Sequence, residues 1–321
     1  MAGGEKQADL VLEGGGVKGV GLIGAISVLE DAGYTFRRIA GTSAGAIIGS
    51  FLAAGMRTAD LREVITTLDY RKFRQRTALR RIPIVGEPLA LWFQRGLYSS
   101  SYVHSFVAGH LADHGVRTFA DLREDDPDSS LDPKERYRLI VHASDVSRSR
   151  LLRLPWDYQS DFGLDPDAQP VADAVRASAS IPLFFNPVKQ QLTSGRPSWL
   201  VDGGMLSNFP LEVFDRTDGQ PERWETIGIK LSAEKHPGAV LHQASGLVSL
   251  TEAMVTTLTH WYDQAHLDDP KVVARTIFVD TTGYRSTDFS ITREAQDHLY
   301  ENGRAAATKW LAARSGTGVG T

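Results

Sequence analysis

Near the N-terminus two short apolar runs each break into a glycine-rich turn and then into helical spacing, an arrangement few folds accept. The first, Asp9-Leu10-Val11-Leu12, passes through Glu13 into three glycines. Val20, Ile23, Ile26 and Leu29 then hold helical intervals until Gly33 supplies a stop. The second, Phe36 to Ile39, ends at Gly41-Thr42-Ser43-Ala44-Gly45 and restarts as the apolar helix running from Ala46-Ile47-Ile48 to Phe51-Leu52. A strand followed by a covering helix, twice over, predicts parallel pairing, because parallel neighbours need a crossover long enough to traverse the sheet.

Further strands are predicted at Arg138 to Ala143, Trp199 to Val201, Thr226 to Leu231 and Thr276 to Asp280, with helices at Leu241 to His266 and Thr292 to Ala313. The expected architecture is one three-layer α/β/α domain over residues 1–321, with a central, mostly parallel sheet. Tyr70 to Thr118 fits the strand–helix rhythm worst and is the candidate for a cap inserted over the active face. The acidic stretch from Glu124 to Ser130 reads as a solvated loop.

Composition closes off several function classes. With 42% hydrophobic and 23% charged residues the chain is neither disordered nor fibrous. It contains no cysteine, which removes thiolate nucleophiles, cysteine zinc sites and disulfides. A formal charge of −4 gives no global basic field to draw it to nucleic acid. The polar segment Met1 to Asp9 lacks the form of a signal peptide, and the longest largely apolar stretch, Ala44 to Met56, is too short for a membrane span. These features predict a cytoplasmic protein that at most lies on a membrane surface.

The chemistry starts at Gly41-Thr42-Ser43-Ala44-Gly45, a G-x-S-x-G sequence in the strand-to-helix context of a nucleophile elbow. A sharp turn there lifts a serine hydroxyl off the sheet edge, and glycines are needed on either side where a Cβ would collide with neighbouring chain. Gly14-Gly15-Gly16-Val17-Lys18-Gly19 admits two readings: a dinucleotide-binding turn, or a turn whose amides face the oxyanion of a tetrahedral intermediate. A dinucleotide fold ends its second strand on an acidic residue that grips a ribose hydroxyl. Here that strand ends in Ala40-Gly41-Thr42-Ser43, which favours the oxyanion reading. None of the nine histidines sits in a local catalytic signature. The alternative base is Asp202 in Leu200-Val201-Asp202-Gly203-Gly204, where an apolar run delivers a carboxylate to a turn.

Gly14 to Gly19, Gly41 to Gly45 and Asp202-Gly203-Gly204 occur in the order and rough spacing of the patatin-like phospholipases, and the sequence resembles that family. Ala177-Ser178-Ala179-Ser180-Ile181-Pro182 resembles the family's Ala-Ser-rich block, and Asn208-Phe209-Pro210 extends the aspartate motif. The resemblance covers about Asp9 to Pro210; the remainder carries no distinguishing motif. It implies a lipid acyl hydrolase with a Ser–Asp dyad and no histidine: Ser43 as nucleophile, Asp202 as base, and amides of the glycine turn at the oxyanion, Gly15 and Gly16 first and Val17 as a further candidate. It calls for no cofactor and no metal.

An acyl-lipid substrate needs a route out of the bilayer. Arg71, Lys72, Arg74, Arg76, Arg80 and Arg81 precede Ile82-Pro83-Ile84-Val85 and Leu89-Ala90-Leu91-Trp92-Phe93, so Arg71 to Phe93 is the candidate lid or membrane-contact element. Lys18 is a candidate for meeting a phosphate headgroup. Two other classes stay open at this level: a nucleotide-binding protein using Gly14 to Gly19, and a catalytically silent regulatory module.

Overall fold

The computed structural model describes residues 6–68, 96–98, 100–126, 129–232 and 269–316. The first half contains β1 (Lys6–Leu12), α1 (Val20–Asp31), β2 (Tyr34–Thr42), α2 (Ala44–Ala53), α3 (Thr58–Thr67), β3 (Gly96–Tyr98) and α4 (Ser101–Asp113). Next come β4 (Leu139–Asp145), β5 (Arg150–Leu154), α5 (Tyr158–Phe162), α6 (Val171–Ser178), β6 (Leu183–Phe185), β7 (Val188–Gln191) and β8 (Pro197–Asp202). Last are β9 (Glu225–Lys230), α7 (Pro270–Ala274), β10 (Thr276–Phe278) and α8 (Arg293–Gly316).

The sheet runs β10-β9-β1-β2-β4-β8-β7, with β5 also paired to β4, and helices flank it in a three-layer α/β/α arrangement. Pairing is parallel from β10 through β4 and antiparallel where β4 meets β5 and β8 and where β8 meets β7. The centre of the sheet is covered on both faces. Ala8 to Leu12 and every residue of β4 are accordingly buried, the pattern of strands between helical layers. Helix α1 is buried from Val20 to Leu29 because it lies between the sheet and α8.

Two pairings are not announced by the sequence. Asp9 heads the apolar run yet lies inside, paired with Arg38 of the neighbouring strand; burial pushes its carboxyl up to about 6 despite that partner. The acidic segment is not simply solvated, because Glu124 pairs with Arg37 and the buried Asp126 with Arg223 at 2.6 Å. The proposed cap falls partly outside the described residues. Its later part, α4, buries Val103, Val107 and Leu111 against α2 and α6. Arg71 to Phe93 and the helix expected at Leu241 to His266 lie outside the described residues.

Candidate active site

Ser43 joins β2 to α2 with φ 52° and ψ −118°, a left-handed backbone that no β-carbon residue adopts without cost, typically about 1–3 kcal/mol. The turn is held because its flanks are pressed together. A Cβ on Gly41 would lie 2.3 Å from the Gly45 carbonyl oxygen, and one on Gly45 would lie 2.3 Å from that of Leu12. The Ser43 amide donates to the hydroxyl of Ser178, at the end of α6, at 2.9 Å.

Asp202 arrives by a route the sequence does not announce. The parallel register places Thr42 opposite His142 of β4, and the antiparallel register places Asp202 opposite Ala143, the next residue. Because β5 occupies the other edge of β4 over residues 141–145, β2 and β8 share one edge and meet end to end. The Ser180 carbonyl accepts the Asp202 amide at 2.9 Å. Gly203 fits against the junction, where a Cβ would lie 2.4 Å from the His142 carbonyl oxygen. Within the mostly parallel sheet β8 is an exception and runs antiparallel to β4. It can do so because Ala143 to Asp145 extend β4 past the end of β2.

The Asp202 carboxylate accepts the Gly204 amide at 2.8 Å, and the Ser43 side chain lies close enough to lower its pKa. Burial raises its pKa to about 6, and the Ser43 side chain and the Gly204 amide hold it back from rising further. A group titrating there is ionised at neutral pH yet basic enough to take a proton from a hydroxyl within contact. His142, opposite Thr42, is fully buried, and burial pushes it down to about 4. It is neutral at physiological pH, and neither ring nitrogen bonds to Ser43.

The glycine turn lies beside the serine: a Cβ on Gly14 would be 3.1 Å from the Ser43 Cβ. Three of its amides are committed within the protein. Gly14 donates to the Asn208 carbonyl at 3.2 Å, Val17 to the Ser286 carbonyl at 3.1 Å and Lys18 to the Gly15 carbonyl at 3.1 Å. The amides of Gly15 and Gly16 find no acceptor among the described residues. With Val17 and Lys18 committed in this way, the turn lacks the run of open donors a pyrophosphate would need.

Behind the turn, Glu13 accepts Lys230 Nζ at 2.6 Å, the Leu231 amide and Asn208 Nδ2 at 3.3 Å, while the same Nδ2 donates to the Gly14 carbonyl at 2.9 Å. The half-buried Lys18 is lowered from its ordinary pKa by burial, opposed by the Glu13 charge and reinforced by Lys230.

Ser43 opens into a cleft of about 560 Å³, part of it open to solvent. Its wall is almost wholly apolar, with Ile47, Ile65, Leu68, Val103, Ile181, Phe185 and Phe289 around Gly16 and Ser43. Two contributors carry little local signal. Ser178 is marked only by the Ala-Ser block at the end of an apolar helix, and Phe289 lies in a segment without a motif.

The sequence pattern of the patatin-like phospholipases matches residues 10–215. The chain belongs to that family. The family makes it a lipid hydrolase in general terms. YqhO of Bacillus subtilis, itself uncharacterized, is 34% identical over 306 residues, covering 94% of this chain and 97% of that protein. The protein named lysophospholipase nte1 of Aspergillus oryzae is 32% identical over 205 residues, 63% of this chain but 10% of that much longer protein. VipD from Legionella pneumophila shares the fold, with a TM-score of 0.54 at 19% identity over 97% of this chain and 67% of that one. Among the described residues no helix is long and apolar enough to cross a membrane.

Proposed function

We propose that this patatin-like protein hydrolyses fatty-acyl esters of phospholipids or lysophospholipids through an acyl-enzyme on Ser43, with Asp202 as general base and the Gly15 and Gly16 amides as oxyanion donors. One observation carries the reading: Ser43, on a positive-φ turn that lines an apolar cleft, lies beside a buried carboxylate whose pKa its side chain helps to hold down. The name of the Aspergillus relative supports the substrate class.

In the first half-reaction Ser43 Oγ attacks the acyl carbonyl carbon as its proton passes to Asp202. The carbonyl electron pair moves onto oxygen, where two preorganised amides stabilise it; one such donor is typically worth about a hundredfold to a thousandfold in rate. Collapse expels the alcohol portion, which takes the proton from Asp202. Water then gives a proton to Asp202 and attacks the acyl-enzyme, and collapse releases the fatty acid and returns the proton to Ser43. Because Asp202 is reached directly, no imidazole relay is required, and its raised pKa narrows the mismatch with a hydroxyl.

Contact with anionic lipid through Arg71 to Phe93 belongs to the same proposal, since the acyl chain has to pass from the bilayer to Ser43. The test is incubation with mixed phospholipids and lysophospholipids, with products read by mass spectrometry. Fatty acid release by the wild type and none by Ser43→Ala supports the reading. Equal release by both overturns it.

A further inference from the structure

We propose that Phe289, on the loop joining β10 to α8, sets which acyl chains the cleft accepts; the inference rests on the acyl-hydrolase reading of Ser43. This loop lies beyond residue 215, where the family match ends, yet it completes the site.

The Ser286 carbonyl accepts the Val17 amide at 3.1 Å. Gly16, at φ 54°, approaches the same carbonyl so closely that a Cβ would lie 2.0 Å from its oxygen. The loop is therefore seated on the oxyanion turn itself. Three residues on, the half-buried Phe289 reaches the wall of the cleft and meets Phe184 edge to face, ring centroids 5.5 Å apart.

The loop is anchored at several points, so the ring is presented in a defined position. Thr281 Oγ1 donates to the Leu231 carbonyl at 2.8 Å, Asn302 Nδ2 donates to the Asp280 carbonyl at 2.9 Å, and the Tyr284 hydroxyl and His298 Nδ1 are 2.9 Å apart. A wall fixed next to the reacting centre has to be accommodated by every acyl chain that reaches Ser43. Phe289 is thus a specificity-determining residue. Its ring limits the width of the cleft, whereas Gly41 to Gly45 and Asp202 are needed whatever the chain.

Each methylene gained or lost from apolar contact changes transition-state binding by about fourfold, so a change in cleft size worth two methylenes alters selectivity by roughly fifteenfold. The experiment compares kcat/KM of wild type, Phe289→Ala and Phe289→Trp on p-nitrophenyl esters from butyrate to palmitate, with Ser43→Ala as control. The same proteins in a Ser43→Ala background are titrated with octanoate to palmitate by calorimetry, a readout independent of turnover.

Expected is a laurate-to-butyrate ratio raised about fifteenfold by Phe289→Ala and lowered by Phe289→Trp, with affinities for the fatty acids shifting in parallel. Ratios and affinity profiles within twofold of wild type in both variants overturn the role of Phe289 while leaving Ser43 untouched. Hydrolysis that persists in Ser43→Ala overturns the acyl-hydrolase reading instead.

Discussion

The backbone amide of Ser43 donates to the hydroxyl of Ser178 at 2.9 Å, across 135 residues of chain. Two residues further on, the Ser180 carbonyl takes the amide of Asp202, also at 2.9 Å. One short segment at the end of α6 thus grips both proposed partners by their backbones. Neither contact uses the reacting side-chain atoms, so the segment sets their separation and leaves the hydroxyl and the carboxylate to each other.

Removing the Ser178 hydroxyl leaves a buried amide without its acceptor, a loss of about 1–3 kcal/mol. Ser178→Ala is expected to lower the thermal midpoint and, by loosening the elbow, to lower kcat more than it changes KM. Thermal denaturation alongside steady-state kinetics checks both; an unchanged kcat refutes the positioning role.

Ser43→Ala and Asp202→Asn are each expected to reduce ester hydrolysis by about a thousandfold or more while the protein stays folded. Circular dichroism and a lipid-release assay on the same samples test this. Appreciable activity in Asp202→Asn would assign the base elsewhere.

The pH dependence follows from a carboxyl raised to about 6 by burial. The base has to be ionised, so kcat/KM is expected to climb through pH 6, level off above it, and be about tenfold lower at pH 5 than at the plateau. For stability the sign is opposite. With its folded pKa above the ordinary 3.8, Asp202 binds its proton more tightly in the folded chain, and its ionised form costs stability at neutral pH that is relieved as pH falls from about 6. Asp202→Asn is accordingly expected to match or exceed the wild-type thermal midpoint at pH 7. A fall of several degrees there would contradict the argument.

Gly41→Ala and Gly45→Ala each place a Cβ 2.3 Å from a backbone oxygen. Backbone cannot step aside as a flexible side chain can, so each is expected to lose several kcal/mol of stability or fail to accumulate in soluble form. Expression yield and chemical denaturation measure this; near-wild-type stability would mean that the elbow relaxes.

For the basic stretch, Arg74→Gln, Arg76→Gln, Arg80→Gln and Arg81→Gln combined in the full chain should weaken binding to vesicles containing anionic lipid by up to about a thousandfold, at roughly 1 kcal/mol per arginine near the surface. Binding to neutral vesicles should not change. Co-sedimentation with both vesicle types decides, and equal binding of wild type to the two would remove the electrostatic contact.

The N-terminal units were legible because their signals are local. Leu10 to Leu12 and Ile39 to Ala40 are apolar runs that stop at glycine turns, and β1, α1, β2 and α2 follow the predicted order. Asp202 was legible as a carboxylate at a turn, but the direction of β8 was not, since an apolar run reads the same in either pairing. Glu124 and Asp126 looked like a solvated acidic tract because the arginines that pair with them, Arg37 and Arg223, are far away in sequence.

By itself, then, the amino-acid order determined the turns and the groups proposed to react. A glycine, serine or aspartate at the end of an apolar run constrains backbone over only a few residues, and such constraints are written locally. Tertiary structure decided what those groups face. That β8 meets β2 end to end along β4, that Ser178 holds the elbow, that Ser286 sits on the glycine turn and that Phe289 lines the cleft all depend on strand register and long-range packing. These are settled by the burial of the whole sheet and not by any one segment.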